Sequence, residues 1–325
     1  MTMEQAAAQI RLPDTKARDA ARRRLDTRAK LPGSLGLLED AVIRLAGIQR
    51  TAFPRLDHKL VVVVCADNGV TAEGISPSAP TVTAAQAVNF ARGGGTINAF
   101  ARRLGAPVRV VDVGIATPYT HEGVERRTVR RGTDNMAAGP AMSAADCRRA
   151  VEVGITLAEE AAASGAQLLI PGEMGIGNTT TSSAVASVLL QKDPELVTGA
   201  GAGLDSAGLK RKTEVIRRGI GLHHPDPMDG MEVLQKVGGF DLAAMAGAFL
   251  GGAIYHVPVV IDGVIAAAAA AAAGRIAPAA TDYMLAAHVS AEPASIWLLD
   301  LIGVTPAIQA GLRLGEGTGA LALFP

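Results

Sequence analysis

The chain has 325 residues, of which 49% are apolar and only 19% are charged, so it can bury a large hydrophobic core. Acidic and basic side chains number 31 each and are interspersed along the chain. This balance argues against a nucleic-acid or anionic-membrane surface and favours small-molecule ligands. The two cysteines, Cys65 and Cys147, form no spaced set, so neither a disulfide framework nor a metal site is expected.

Neither the N-terminus nor the most apolar stretch predicts a membrane protein. Residues 1–25 carry acidic side chains and lack an apolar centre, so we expect no secretory signal and a cytoplasmic location. Residues 257–273 are interrupted by Asp262 and are rich in alanine, which contributes little apolar transfer energy. A buried strand followed by a packed helix is the better interpretation of that stretch.

Helices and strands alternate along the chain. Residues 1–55 predict a helical arm, in which a charged segment and an amphipathic segment are separated by Pro32, Gly33 and Ser34. Apolar runs typical of strands covered on both faces occur at residues 60–65, 108–114, 168–170 and 257–263, and helical patterns occur at residues 83–104 and 144–164. This alternation predicts an α/β fold with a doubly wound, mostly parallel, Rossmann-like sheet.

Each of the four apolar runs ends in a carboxylate. These acids are Asp67, Asp112, Glu173 and Asp262. Ligands of open α/β sheets bind outside the carboxyl ends of the strands, so we expect these four residues to line or support one cleft. Glu173 is the acid expected to face a ligand, and because Asp at a strand end also commonly caps the next turn, a ligand contact or a structural role stays open for the other three.

Residues 168–183 (LLIPGEMGIGNTTTSS) predict a strand that breaks at Pro171 and Gly172 and leads through Gly175 and Gly177 into a helix. Glycines let a ligand approach the backbone, and the first N–H groups of a helix favour a phosphate. The hydroxyls of residues 179–181 are further candidate donors. A plain helix cap at Asn178 or Thr179 is the alternative. Glu173 would repel a phosphate, so it is expected to face a second, less negative end of the ligand.

Three later segments complete the set of candidates. Residues 198–204 (TGAGAGL) predict either a flexible loop or a second phosphate-contacting loop, and the basic helix that follows offers Lys212 as a counter-charge. Residues 223–230 (HHPDPMDG) form a Pro-rich turn in which no regular metal site is expected. Glu316 lies between Gly315 and Gly317, and a carboxylate projecting from such an exposed turn suits a general base.

Together these features predict a small-molecule transferase or lyase that uses Glu173 and Glu316 beside a bound phosphate. The chain has no Walker A lysine motif and no diphosphate-binding loop of paired acids and a Gly/Thr turn. A monophosphate substrate is therefore favoured over a diphosphate or ATP, and no cofactor is expected.

Long motifs occur in order between about residues 35 and 322: PGEMGIGNTTTSSA, KVGGFDLAAMAGAFLGGA, SAEP and LRLGEGTGA, supported by VVDVGIA, GPAMS and ISPSAPTVTAAQAVNF. They resemble the nicotinate-nucleotide:dimethylbenzimidazole phosphoribosyltransferase family of cobalamin nucleotide-loop assembly. The resemblance implies transfer of ribosyl phosphate from nicotinate mononucleotide to 5,6-dimethylbenzimidazole or a related base, giving α-ribazole phosphate and nicotinate.

The resemblance also implies residue roles. Glu316 corresponds to the general base and Glu173 to a second acid in the site. The substrate-binding set implied here is Gly175, Gly177, Asn178, Thr179, Gly201, Gly203 and Lys212 around the donor phosphate, with Ser78 and Gln86 contacting the base. An apolar slot for the acceptor is expected, and Met174, Met245 and Phe249 are its candidates, with plain core positions as the alternative.

A homodimer with a smaller helical domain built from both termini follows from the same resemblance. The chain is expected to divide into a helical arm of the small domain at residues 1–55, a catalytic α/β domain at 56–275 and a C-terminal segment at 276–325 that completes the small domain and the active site. The partners expected are small-molecule substrates, with no nucleic acid and no membrane. The acceptor stays open among benzimidazoles, adenine and phenolic compounds. A non-catalytic nucleotide or base sensor is the other alternative, and the presence of both glutamates argues against it.

Overall fold

The computed structural model describes residues 8–201 and 203–324. Six strands of the described chain form one sheet in the order β3-β2-β1-β4-β5-β6, and every neighbouring pair is parallel. The strands are β1 (Lys59–Ala66), β2 (Val108–Gly114), β3 (Val124–Arg126), β4 (Leu168–Met174), β5 (Val259–Ile261) and β6 (Met284–Ala286). The predicted doubly wound parallel α/β fold is therefore confirmed.

Thirteen α-helices of the described chain cover this sheet and its ends. They are α1 (Thr15–Asp26), α2 (Leu37–Ile48), α3 (Thr81–Ala91), α4 (Thr96–Arg103), α5 (Ala144–Ala163), α6 (Asn178–Leu190), α7 (Pro194–Val197), α8 (Ser206–His223), α9 (Gly230–Val237), α10 (Phe240–Ile254), α11 (Val264–Ile276), α12 (Ser295–Ile302) and α13 (Thr318–Leu321). Short 3₁₀ turns lie at Gly69–Glu73 and Pro278–Tyr283. No helix in these ranges is long and apolar enough to cross a membrane.

Strand order places the crevice of the sheet between β1 and β4. The chain runs outward from β1 through β2 to β3, returns through α5, and then builds β4, β5 and β6 on the other side of β1. Loops that leave β1 and β4 consequently diverge to opposite sides, and ligands of such sheets bind outside the strand ends at this point. The fold alone therefore directs attention to the ends of these two strands.

The prediction that the third strand breaks at Pro171 and Gly172 is wrong, because β4 continues through both residues to Met174. The whole of β4 pairs with β1, whereas its pairing with β5 is confined to Leu169. The N–H of Leu169 points to the β5 side, where it donates to the carbonyl of Pro258 at 2.9 Å. Pro171 lies two residues further along and faces the same side. The pairing with β5 has already ended there, so the N–H that proline lacks would have had no partner in the sheet.

The N-terminal helices contact the C-terminal part of the chain. Arg44 of α2 donates a hydrogen bond of 2.6 Å to the carbonyl of Thr281, and the Tyr283 hydroxyl donates one of 2.6 Å to the carbonyl of Arg11. The N-terminal part of the chain thus contacts the 3₁₀ turn before β6. The division into parts at residues 55 and 275 stays a prediction.

The tightest helix packing in the core joins α5 and α10 through glycine. All fifteen residues of α10 are buried. A Cβ built on Gly247 would overlap the carbonyl oxygen of Val151, and one built on Gly154 would overlap the carbonyl oxygen of Ala244. The two backbones are therefore in direct contact, which leaves no room for a larger residue at either position.

Gly247→Ala is expected to lower the free energy of unfolding by about 1 to 3 kcal/mol, because the added methyl must push α5 and α10 apart. Gly221→Ala is the matched control, since Gly221 is an exposed helical glycine of α8 with nothing within 4 Å of its missing Cβ. We expect that change to stabilise the protein by up to about 1 kcal/mol through helix propensity. Urea unfolding of both variants measures the difference, and equal effects would contradict the packing argument.

Candidate active site

A cavity opens at the carboxyl ends of β4 and β5. Its walls are formed chiefly by residues 171–179, 262–266 and 313–316, with residues 75–77 and the loop at residues 200, 201 and 204 on the remaining sides. Glu173 and Glu316, about 140 positions apart in the sequence, both line it. Asp262 lines it as well, whereas Asp67 and Asp112 cap loops at the ends of β1 and β2.

Glu173 is buried at the end of β4, with only 7% of the residue exposed. The Asn178 amide donates a hydrogen bond to its carboxylate, and the backbone N–H of Glu316 donates another. Burial raises the pKa of Glu173 to about 8, and the nearby charge of Asp241 acts in the same direction. The carboxyl group is thus largely protonated at neutral pH unless a cation binds beside it.

Glu316 lies on an unusual turn rather than on the freely exposed one that the sequence predicts. Three successive residues have left-handed backbone conformations, with φ values of 87° at Gly315, 64° at Glu316 and 86° at Gly317. The carboxylate of Glu316 accepts a hydrogen bond of 3.3 Å from the N–H of Ile97, in the first turn of α4. Burial raises the pKa of Glu316, while the Ile97 N–H opposes that shift.

Close backbone packing fixes this turn against β4. A Cβ at Gly172 would overlap the carbonyl oxygen of Glu316, and one at Gly315 would overlap a carboxylate oxygen of Glu173. On the other side, Asp262 accepts hydrogen bonds from the N–H groups of Gly317 at 3.2 Å and Ala320 at 2.7 Å. The two glutamates are therefore held in one rigid assembly.

The start of α6 has the glycine-rich geometry that the sequence predicts. Gly177 has φ of +96° and precedes the helix, and Gly175 fits so closely against Asp241 that a side chain is excluded. Gly175, Gly177, Asn178 and Thr179 all line the cavity. Asn178 is not a plain cap, since its amide binds Glu173. The expectation that residues 180 and 181 add hydroxyl donors is wrong, because both are buried and absent from the lining.

Lys212 lies behind the cavity wall instead of in the cavity. The residue is fully buried, and its Nζ donates to the Thr179 hydroxyl at 2.9 Å and to the Gly199 carbonyl at 3.1 Å. Burial lowers the pKa of Lys212 to about 8. A Cβ at Gly201 would stand 2.7 Å from the Thr179 hydroxyl and 3.3 Å from Lys212 Nζ, so the glycine brings the loop against both groups.

The remaining candidates lie at the margin or outside. Gly203 is exposed in the 201–204 loop with φ of +100°. Ser78 and Gln86 are half-buried and are not among the lining residues, although Pro77 is. The side-chain amide oxygen of Gln86 accepts a hydrogen bond from the side-chain amide of Asn89. Among the candidates for an apolar slot, Met174 lines the cavity, whereas Met245 and Phe249 are fully buried in α10 and belong to the core.

Several residues of the site carry no role in the sequence-based prediction. Asp241 is fully buried in the first turn of α10, and burial raises its pKa to about 6. His288, Glu292 and Arg313 line the cavity. Asp241, Glu292 and Arg313 fall inside the quoted motifs KVGGFD, SAEP and LRLGEGTGA, so the motifs were the available signal. His288 lies outside every quoted motif.

Comparison with known proteins identifies the family. A family model described as "Phosphoribosyltransferase" matches residues 10–325. A nicotinate-nucleotide–dimethylbenzimidazole phosphoribosyltransferase from Acetivibrio thermocellus is 46% identical over 306 residues, covering 94% of this chain and 87% of the relative. The enzyme of the same name from Clostridium acetobutylicum is 42% identical and covers 100% of this chain and 92% of its own.

A solved structure agrees with these matches. The crystal structure of CobT from Thermus thermophilus superimposes with a TM-score of 0.91 at 41% sequence identity, covering 95% of this chain and 92% of that chain. Fold, sequence and family model agree over nearly the whole length. The chain therefore belongs to the nicotinate-nucleotide–dimethylbenzimidazole phosphoribosyltransferase family.

Proposed function

We propose that the protein transfers ribosyl phosphate from nicotinate mononucleotide to 5,6-dimethylbenzimidazole or a related base. The products are α-ribazole phosphate and nicotinate, and the reaction belongs to cobalamin nucleotide-loop assembly. The observation that carries the proposal is the pairing of Glu173 and Glu316 in one cavity beside a glycine-rich helix start. Near full-length identity to enzymes that bear this name supports it.

The donor phosphate is proposed to lie at the start of α6, between Gly175, Gly177, Thr179 and Gly201. The Thr179 hydroxyl accepts the Lys212 Nζ–H, so its own hydrogen is free to point at a phosphate oxygen. Lys212 thus contributes positive charge through Thr179 without occupying the cavity. Gly203 is placed at the margin of the same region.

Glu173 is proposed to act on the cationic end of the donor. Nicotinate leaves from a pyridinium, so the bound donor brings positive charge beside this carboxyl group and favours its ionised form. An ionised Glu173 would then stabilise the oxocarbenium-like transition state as the glycosidic bond breaks. Because the ring departs as a neutral pyridine, no strong acid is needed for it.

Glu316 is proposed to be the general base that removes the azole N–H proton as the ring nitrogen attacks the anomeric carbon. Such a base contributes a factor of about 10² to 10⁴, and the remaining acceleration comes from holding two flat rings and a ribose in line. We place the acceptor near residues 75–77 and Met174, with Ser78 and Gln86 beside it. Attack opposite the departing ring inverts the anomeric centre.

We also propose that the protein works in the cytoplasm as a homodimer. Two exposed leucines of α2, Leu37 and Leu38, form an apolar groove together with Leu323 and Phe324. A surface of this kind supports association of two copies. Sedimentation equilibrium measures the mass directly.

Release of nicotinate tests the proposed reaction. The protein is incubated with nicotinate mononucleotide and a panel of benzimidazoles, adenine and phenols, and nicotinate and the new glycoside are measured by chromatography. Acceptor-dependent release with an α-configured product is expected. Binding of donor and base without any release would instead identify a sensor.

Glu316→Gln should retain donor binding and lose most of the turnover, by about 10²- to 10⁴-fold, because the amide cannot accept the azole proton. In the unchanged enzyme, kcat rises with pH as Glu316 ionises, at a pKa above the ordinary glutamate value. The variant should lack this limb of the pH–rate profile. A profile and rate like those of the unchanged enzyme would rule out the base assignment.

Lys212→Gln should raise KM for the donor by about 10- to 100-fold, the range expected for losing a hydrogen-bonded charge. In the unchanged enzyme the Nζ is charged below pH 8 and loses its charge as pH rises through about 8, so donor affinity should fall above that pH. Lys210→Gln, an exposed lysine of the same helix, is the control. Equal effects of the two changes would contradict a phosphate role.

Glu173→Ala is expected to give a folded protein with much lower kcat, because it removes both the carboxylate and the acceptor for the Glu316 N–H. Glu173→Gln keeps an acceptor oxygen at that position and should recover part of the lost rate. The difference between the two variants measures how much of the effect comes from holding the Glu316 turn. Loss of the folded state, seen by circular dichroism, would show that the residue is purely structural.

A further inference from the structure

Asp262 connects β5 to the turn that carries Glu316. It directly follows β5 and is 4% exposed. One carboxylate oxygen accepts the N–H of Gly317 at 3.2 Å, and the other accepts the N–H of Ala320 at 2.7 Å. Asp262 therefore holds the residue after Glu316 and the short helix α13 at the same time.

His288 lies beside Asp262 and lines the same cavity. Its Nε2 lies 3.6 Å from the Asp262 oxygen that also accepts the Ala320 N–H, and the residue is 3% exposed. A Cβ at Gly319 would overlap the His288 ring and stand 2.9 Å from that same oxygen. The start of α13 is thus pressed directly onto the Asp262–His288 pair.

The turn needs such support because its backbone is strained. Glu316 has a φ of 64° between two glycines that also have positive φ values. A non-glycine residue in this region costs on the order of 1 to 2 kcal/mol and keeps that conformation only when its surroundings enforce it. Glu173 binds the N–H of Glu316 itself, and Asp262 binds the next N–H along the chain.

We propose that Asp262, backed by His288, is a positioning residue for Glu316, fixing its turn and setting the electrostatic field at its carboxylate. This inference rests on the proposed function, in which Glu316 is the base. The surroundings of Glu316 supply three relevant groups: Asp262 after β5, Glu173 on β4, and the Ile97 N–H at the start of α4.

Charges in this cluster act in known directions. Burial raises the pKa of Glu316, the Ile97 N–H lowers it, and the Asp262 charge raises it. Burial lowers the pKa of His288, but Asp262 and the backbone at Val289 outweigh burial, so that pKa is raised overall. Removing the negative charge of Asp262 should therefore lower the pKa of Glu316. Removing the His288 ring takes away a group that interacts favourably with the Asp262 charge, so Asp262 is less compensated and the pKa of Glu316 should rise.

Two substitutions with opposite expected shifts test the proposal. Asp262→Asn should reduce kcat by about 10- to 100-fold, the loss typical of a small misplacement, while the donor KM changes little. In this variant the rise of kcat with pH that reports the ionisation of Glu316, the acid limb of the pH–rate profile, should move to lower pH. His288→Gln should move the same limb to higher pH.

Asp112→Asn is the matched control. Asp112 is another buried acid near a strand end; it accepts N–H groups from Gly114 and Ile115 and is not one of the residues that line the cavity. We expect this change to lower the melting temperature without moving the limb. If Asp262→Asn lowers only the melting temperature, as the control does, or if both test variants shift the limb in the same direction, the proposal fails.

A readout independent of turnover separates this inference from the proposed function. The pKa of Glu316 is measured in each protein by carboxyl ¹³C NMR, with Glu316→Gln to assign the signal. The downward shift in Asp262→Asn and the upward shift in His288→Gln are expected there too, and their absence overturns the inference. The two variants can show these pKa shifts while the unchanged protein releases no nicotinate. That result would overturn only the proposed function.

Discussion

The backbone contact between Gly172 and Glu316 is the constraint on which the site depends. Glycine at residue 172 lets the carbonyl of Glu316 rest directly on β4, where any side chain would collide with it. This contact makes the turn an extension of the central sheet, so the base shares the rigidity of the strand. The left-handed conformation of Glu316 is tolerable only because this contact, Glu173 and Asp262 all constrain the same three residues. A base on a mobile segment would lose the fixed geometry that in-line transfer needs.

Excess negative charge is the second feature of the cavity. Glu173, Asp262, Glu292 and Glu316 all line it, and Asp241 lies just behind. Burial raises the pKa of Glu173, Glu316 and Asp241, and that of Glu173 reaches about 8, so at neutral pH Glu173 is largely protonated until a cation binds beside it. A pyridinium donor supplies the missing cation. Its departure as a neutral ring removes that cation again, so the electrostatics favour binding of the reactant over retention of the product.

The sequence predicts much of this arrangement, and its failures have physical causes. Parallel strands β1, β2, β4 and β5 are recognisable because each lies within a continuous apolar run, and even the three-residue β5 belongs to the run at residues 257–263. Strands β3 and β6 also span three residues each but lie in no run that the sequence analysis assigns to a strand. Pro171 leads to a wrongly predicted strand end, because the sequence cannot show that the pairing of β4 with β5 stops at Leu169.

The position of Glu316 between two glycines makes it recognisable as a candidate in the sequence. The groups that bind its turn lie on β4, at the end of β5 and on α4, and only the fold brings them together. The position of Lys212 behind Thr179 is equally invisible before the helices are packed.

The cavity has two separate charged regions, one for an anion and one for a cation, so it can bind a ligand in only one orientation. The glycines, Thr179 and Lys212 form a region for an anion at the start of α6, while the carboxylates form a region for a cation at the C-terminal turn. Asn178 joins them, because it belongs to the helix that begins the first region and its amide binds Glu173 in the second. A ligand with a phosphate at one end and a cationic ring at the other satisfies both regions at once. Either charge alone satisfies one region and leaves the other uncompensated, so recognition of the donor is a property of the whole cavity rather than of any single residue.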